Sequence, residues 1–490
     1  MTTAGNSIEA RLQHLETHLE QENPILLSTV RSFRSLDRVA RKIGLLGTDE
    51  SYATQIPWWP LISVLGTFSS GKSTFINHYL GYKLQRTGNQ AVDDRFSVIC
   101  YSGEKEAHTL PGVALDADPR FPFYQMSDEI ELVAKGEGRR IDAYLQLKTC
   151  PSERLKGKIL IDSPGFDADA QRTSTLRITD HIIDLSDLVL VLFDARHPEP
   201  GAMQDTLDHL VSRTINRPDT GKFLFILNQI DTTAREDNPE EVVAAWQRAM
   251  GDRGLTAGRF YTIYNPDFDL PIEDQSLKER FERKRDADLT EIHERMQQVE
   301  VERAYRIVGA LEKTSRDIED KAVPALSSAI QSWKKRVIWG DALVLGAIIV
   351  AATLSSANTG TASGEGWFSS ITELFASSPW LAATGVVVLL VVIAALHFVV
   401  RAVTAGWVAK NLKKYAAELA IRGDITKAFL RSARPWRSIF MKNPAGWGRG
   451  ARKRLHQVTQ DADAYVQRLN DSFTAPSGQP NPETPGTKED

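Results

Sequence analysis

The chain has 490 residues, with 59 Lys and Arg against 63 Asp and Glu, for a formal net charge of −4. That near-balance excludes a global polyanion binder, so no nucleic-acid partner is expected, and the length allows about three domains. The two cysteines, Cys100 and Cys150, lack metal-ligand spacing, which excludes a disulfide scaffold and points to a reducing compartment.

Met1–Gln21 contains no apolar run, so no signal peptide is expected. Ile8, Leu12, Leu15 and Leu19 recur at helical spacing, Asn23-Pro24 breaks the pattern, and Leu26, Val30 and Phe33 resume it. Residues 7–46 therefore read as helices. From 55 to 270, strand-like apolar runs alternate with helical stretches, the pattern of a largely parallel α/β sheet. The runs are Leu61–Leu65, Phe96–Tyr101, Lys158–Ile161, Leu188–Phe193, Phe223–Leu227 and Phe260–Tyr264.

The first run leads into Gly66-Thr67-Phe68-Ser69-Ser70-Gly71-Lys72-Ser73, a complete GxxxxGK[ST] loop, and Thr74–Leu80 reads as the helix after it. Such a loop offers backbone N–H groups to phosphate at a helix N-terminus. Lys72 can reach the β- and γ-phosphates, and the Ser73 hydroxyl can ligate magnesium. Gly66 and Gly71 stand where a side chain would block the nucleotide. Ser69, Ser70 and Thr74 complete the candidate contacts, with Lys72 and Ser69 as candidate catalytic residues.

Lys158–Gly165 is an apolar strand ending in Asp162-Ser163-Pro164-Gly165, about 90 residues beyond the loop. Asp162 can hold magnesium through water, and the Gly165 N–H can sense a γ-phosphate, making Gly165 the third candidate catalytic residue. Phe223–Asp231 is a strand ending in Asn228-Gln229-Ile230-Asp231. It resembles the NKxD base-reading motif of GTPases, with Gln229 in the place of the lysine. Asn228, Gln229 and Asp231 are thus the candidate base-binding residues. The carboxylate suits guanine's paired donors; the shorter, uncharged Gln229 stem pulls toward adenine.

Residues 273–335 are charged and helical. Leu289, Ile292, Met296 and Val299 form a stripe that reads as a packing seam. Pro379–Val400 is apolar except for Thr384 and His397, long enough to cross a bilayer core. Val337–Ala357 is a weaker partner carrying Asp341, which reads as an interfacial residue or cap. Lys334, Lys335 and Arg336 precede the first segment, Arg401, Lys410, Lys413 and Lys414 follow the second, and Asn358–Ser378 contains no Lys or Arg. The asymmetry predicts a two-span hairpin with both termini cytoplasmic. From Lys410 to Arg454 there are 13 Lys and Arg against Glu418 and Asp424, a net +11 that can attract anionic headgroups, with Trp436 and Trp447 at the interface. Thr474–Asp490 is Pro- and Gly-rich and reads as a disordered tail.

Taken together, these motifs resemble the dynamin superfamily of membrane-remodelling GTPases, and within it the EHD family of dynamin-related ATPases. Leu65–Ile76 is similar to that family's loop and helix, and Leu110–Phe123 to its PGNAL…DPxxPF segment. Leu192–Ala195 and Arg259–Tyr264 match in order and spacing. The resemblance implies a homodimer or higher homo-oligomer, magnesium as cofactor, and GTP or ATP as substrate. Three departures stand out. Ala91–Phe96 lacks the switch threonine, leaving Asp93 or Asp94 as a candidate magnesium ligand through water. Phe68 and Phe166 are apolar where a water-orienting group would sit, so slow turnover is implied. A hairpin stands where the EHD family has a membrane-touching tip, a layout that resembles bacterial dynamin-like proteins or mitofusins; a bacterial inner membrane is the expected location.

The expected fold class is an α/β P-loop GTPase-type domain plus an α-helical stalk bundle with a transmembrane helical hairpin. The expected divisions are stalk helices 1–50, nucleotide domain 51–272, stalk 273–336, hairpin 337–400, returning basic helices 401–472 and tail 473–490. The expected function is a membrane-anchored dynamin-like GTPase that couples its nucleotide state and dimerisation to remodelling of a lipid bilayer; the alternatives are an EHD-like ATPase and a nucleotide-binding membrane scaffold with little turnover.

Overall fold

The computed structural model describes residues 4–67, 69–87, 95–118, 120–121, 131, 141–165, 173–196, 220–235, 239–252, 254, 259–265, 274–358, 379–418 and 421–474. Asp93, Asp94, Phe68 and Phe166, the link 359–378 and the tail from 475 onward lie outside them. The chain forms two compact units. One comprises residues 9–30 and 53–308; the other comprises 1–8, 31–52 and 309–490.

The first unit is built on an eight-stranded sheet: β1 Leu61–Gly66, β2 Phe96–Tyr101, β3 His108–Pro111, β4 Leu145–Cys150, β5 Ile159–Asp162, β6 Leu188–Asp194, β7 Phe223–Asn228 and β8 Arg259–Ile263. Their spatial order is β3-β4-β2-β5-β1-β6-β7-β8. All six predicted runs are strands; β3 and β4 are additional. The sheet is mixed, because β2 runs antiparallel to β5 and β3 antiparallel to β4, while the other pairs are parallel. The central strands β1, β5, β6 and β7 are buried along their whole length, as expected of parallel strands covered on both faces.

One core cluster contains Ile62, Val64, Phe75, Ile76, Leu160 and Leu190 together with Ile292, Met296 and Val299 of the long helix that follows the sheet. The predicted stripe is thus a packing seam. A second cluster holds Leu65, Val191, Phe225, Trp246 and Met250. Residues 9–22 of the N-terminal helix α1 (Ala4–Glu22) belong to this unit. Glu22 accepts from Trp59 Nε1 at 2.8 Å and faces Arg120 at 3.6 Å.

The second unit is helical. Its elements are α2 (Leu27–Ile43), the end of the long helix Gln275–Arg316, and four further helices, Val323–Asn358, Pro379–Glu418, Ile425–Ser432 and Arg449–Thr474. With α3 at Lys72–Leu80, α4 at Thr173–Leu185 and α5 at Pro239–Asp252, these last five are α6 to α10 in chain order. A π-turn over Asp317–Ala322 joins α6 to α7. Pro324 has no N–H to give the carbonyl one turn back, and the wider turn accommodates that missing bond. Asp37 of α2 accepts from Ser51 Oγ at 2.5 Å and Tyr52 N at 2.8 Å, while Ser32 donates to Asp461 of α10 at 3.1 Å.

The two apolar segments lie in α7 and α8, which run antiparallel. Trp333 Nε1 donates to the Arg401 carbonyl at 3.2 Å, a Cβ on Gly340 would meet Val400 at 2.6 Å, and Asp341 Oδ2 lies 2.8 Å from His397 Nδ1. Asp341 is therefore a partner of the other helix, which an interfacial or capping role did not anticipate. Thr384 returns its hydroxyl to the Trp380 carbonyl at 2.7 Å, so it stays within the helix's own hydrogen bonding. Among the described residues one helix, Ala383–Tyr415, is long and apolar enough to cross a membrane. On α7, Trp339, Leu343, Ile349 and Leu354 are all exposed.

Candidate functional site

The parallel register brings four strand ends to one edge. Val64 is level with Asp162, Gly66 with Leu192, and Asp194 with Asn228. The predicted phosphate loop leaves this edge at Gly66 and feeds α3. It must turn sharply, and Ser69 (φ 62°) and Gly71 (φ 84°) take left-handed conformations to do so. At Gly71 a Cβ would fall 2.2 Å from Asn228 Nδ2, so the glycine is required by the close approach of the β7 turn. Ser73 and Thr74 follow in the first turn of α3, half-buried.

Lys72 is buried and folds back along the loop, donating to the carbonyls of Gly66 and Thr67 at 3.0 Å each. Burial lowers its pKa to about 8, partly offset by the carboxylate of Asp162. Among the described residues the hydrogen bonds of this cation go to neutral carbonyls, and burial disfavours its charge. A phosphate fits that environment, because it would supply the counter-charge. A direct prediction follows from the sign. Phosphate contact favours the charged amine, so nucleotide binding takes up a proton once the free amine begins to lose its own. Affinity should be level below pH 8 and then fall by about tenfold per pH unit. Calorimetry in buffers of different ionisation heat checks this; affinity unchanged from pH 7 to 9.5 would remove Lys72 from the phosphate contacts.

The Asn228-Gln229 pair clamps the loop from the other side. Asn228 Nδ2 donates to the Ser70 carbonyl at 2.9 Å, and Gln229 Nε2 donates to the Ser69 carbonyl at 2.6 Å. Gln229 achieves this from a left-handed backbone (φ 65°). Asp231 lies buried in the following 3-10 turn, Ile230–Arg235, and its charge acts on Arg196. The structure thus brings Gly66, Ser69, Ser70, Gly71, Lys72, Asn228 and Gln229 into one connected group. Asp162 stands beside it, and Gly165 ends the described stretch after β5.

Three participants escaped the sequence reading. Gln85, after α3, donates Nε2 to Asp162 Oδ2 at 2.7 Å and accepts from Lys148 Nζ at 2.5 Å. All three are buried, so a lysine on β4 is linked to the predicted metal-binding carboxylate. The alternation of Gln146 and Lys148 with Leu145 and Leu147 was the available signal for Lys148. No local pattern marks Gln85. Arg196 forms a fork on Asp194 (2.6 to 3.1 Å) and lies 3.5 Å from the Ser69 carbonyl. Among the described residues no group of three or more His, Cys, Asp or Glu could hold a metal by itself. A divalent cation here would need Ser73, Asp162 and phosphate oxygens together.

Strand, glycine-bearing loop and helix, with a buried lysine at the helix start and an aspartate on the adjacent strand, define a P-loop nucleotide-binding domain. Residues 62–230 match the dynamin family. Over 252 residues the chain is 27% identical to EH domain-containing protein 1 of Arabidopsis thaliana, covering 48% of this chain and 42% of that protein. Over 182 residues it is 28% identical to EH domain-containing protein 1 of Homo sapiens, covering 35% of this chain and 31% of that protein. The chain therefore spans less than half the length of the curated relatives it matches. A solved oligomerised bacterial dynamin pair aligns over 97% of this chain and 77% of its own, at 13% identity and a TM-score of 0.32. The nucleotide domain is thus of the dynamin type and EHD-like in sequence.

Proposed function

We infer that the protein is a membrane-anchored nucleoside triphosphate hydrolase of the dynamin type, which couples its nucleotide state and self-association to remodelling of a lipid bilayer. The observation that carries the reading is Lys72, a buried cation with neutral acceptors at the head of α3, within the field of the Asp162 carboxylate, in a loop clamped by Asn228 and Gln229. Lys72 and the loop amides would bind the phosphates, Ser73 and Asp162 would hold magnesium, and Ser69 and Gly165 are the candidates for the γ-phosphate. Magnesium, when bound, supplies charge neutralisation for phosphoryl transfer. The apolar faces of α7 and α8 form the two-span anchor, with the helical unit as the stalk above it. Their exposure, with the Asp341–His397 pair as a polar contact between the two helices, supports insertion. Basic residues at both outer ends support cytoplasmic termini.

GTP is the preferred substrate. Asp231 stands at the spacing of a guanine-reading carboxylate, buried beside the loop. A second reading, ATP, is favoured by Gln229, whose amide is engaged with Ser69 and whose stem is too short to cover a purine as a lysine does. Calorimetry of the full chain in detergent, with GTP and with ATP, separates them. Tight GTP binding with negligible ATP binding is expected; the reverse selects adenine, and no heat from either removes the nucleotide function.

A further inference from the structure

The boundary between apolar and basic sequence falls at the same level on both antiparallel helices. On α7 it lies between Arg336 and Val337, and on α8 between Val400 and Arg401. Arg336 stacks over Trp407 at 3.6 Å at this level. A separate segment, the connection between α9 and α10, is tied to the same boundary. Arg401 Nη2 donates to the carbonyls of Arg434 and Arg437 at 3.0 and 2.8 Å, and Lys334 Nζ lies 5.0 Å from the ring of Phe440.

The base of this connection is fixed. Ala445 N donates to Ser432 Oγ at 2.9 Å, Trp447 is buried, and Gly446 packs against the Lys42 carbonyl so closely that a Cβ would lie 2.1 Å from it. Trp447 is thus a structural anchor, which corrects its expected place at a membrane interface. The tip behaves oppositely. Trp436 is 76% exposed, Phe440 68% and Met441 49%. Three large apolar side chains on a well-braced loop do not project into water without a reason. Around them stand Arg434, Arg437 and Lys442, with Arg434 over the Trp436 ring at 5.3 Å. No Asp or Glu occurs between Asp424 and Asp461.

We propose that residues 434–442 form a lipid-docking wedge beside the hairpin: Trp436, Phe440 and Met441 enter the acyl–headgroup boundary of the cytoplasmic leaflet, and Arg434, Arg437 and Lys442 contact anionic headgroups. The occupant follows from charge complementarity and from the continuity of this patch with the apolar-to-basic boundary of α7 and α8. Aromatic side chains favour that depth, and basic groups there gain from anionic lipid. The proposal rests on the membrane-anchor reading of α7 and α8, and it adds a second attachment point at the stalk base.

The test uses nitroxide labels on single introduced cysteines in the full chain. Cys100 and Cys150 are both buried and their thiols are raised by burial, the former to about 12, so they stay unreactive in the folded protein. Labels replace Phe440, Leu390 in the apolar run, and Gln457 on α10, in vesicles of phosphatidylcholine and phosphatidylglycerol. Relaxation by oxygen is compared with relaxation by a water-soluble nickel chelate. The expected result is oxygen dominance at Leu390 and at Phe440, with nickel dominance at Gln457. Oxygen dominance at Leu390 alone, with Phe440 behaving like Gln457, overturns the wedge while leaving the anchor. Nickel dominance at Leu390 removes the anchor reading and the wedge with it.

Discussion

A Lys72→Ala chain is expected to fold normally and to lose nucleotide binding. The amine makes its two hydrogen bonds to loop carbonyls, while the packing of α3 onto the sheet depends on Phe75, Ile76, Tyr79 and Leu80. Removing a buried cation that burial already disfavours relieves one desolvation penalty, so the melting temperature should change little. Binding is different, because the phosphate loses the charge aimed at it. Loss of one partner from a buried charged contact costs about 2–5 kcal/mol, roughly 30-fold to several thousand-fold in affinity. Calorimetry and a thermal melt on the same sample check both halves. A folded Lys72→Ala chain that binds GTP and ATP as the unmodified protein does would contradict the site assignment.

Asp187→Ala is expected to be the most destabilising single change in the nucleotide-binding unit. Asp187 sits in the turn between α4 and β6, buried, where its carboxylate accepts from the Leu61 backbone N–H at 3.0 Å at the start of β1. It also pairs with two arginines of α6, directly with Arg303 and with Arg306 at 2.7 Å. Arg303 is itself buried, so truncating Asp187 leaves a guanidinium and a strand N–H without their acceptor. Breaking a buried pair from one side costs about 3–5 kcal/mol. The double change Asp187→Leu with Arg303→Met should recover part of that loss, because no lone buried charge remains. Urea unfolding of the three chains decides this: equal midpoints for Asp187→Ala and the unmodified protein would show the contact to be without consequence.

Much of the nucleotide unit was legible in sequence because its signals are local. An apolar run, two glycines, a lysine and a serine at fixed spacing specify strand, turn and helix at once. The same holds for the strands ending at Asp162 and Asn228. What was not legible is what the sheet order brings together. Gln85 and Lys148 are separated by most of the β2–β4 region, and they meet at Asp162 because β4, β2 and β5 are neighbours in the sheet. Likewise β3 left no strand signal: only Leu110 and Pro111 fall in the family segment, and its four residues are all exposed and do not alternate. In the helical unit the periodicities identified helices but not partners. Trp436 and Trp447 look alike in sequence, and only the packing of Gly446 on α2 shows that one is held inside and the other is left outside.

The account turns on one claim, that this chain hydrolyses nucleotide at Lys72 while anchored in a bilayer. The most direct measurement is phosphate release from GTP and from ATP by the full chain reconstituted in vesicles, with carbonate-washed vesicles as the sample and a Lys72→Ala chain as the control. The account predicts that protein stays with the washed vesicles, and that it releases phosphate slowly with magnesium present while Lys72→Ala does not. Release equal in the two chains, or none from either nucleotide, would contradict the catalytic half. Protein stripped from the vesicles by the wash would contradict the anchor.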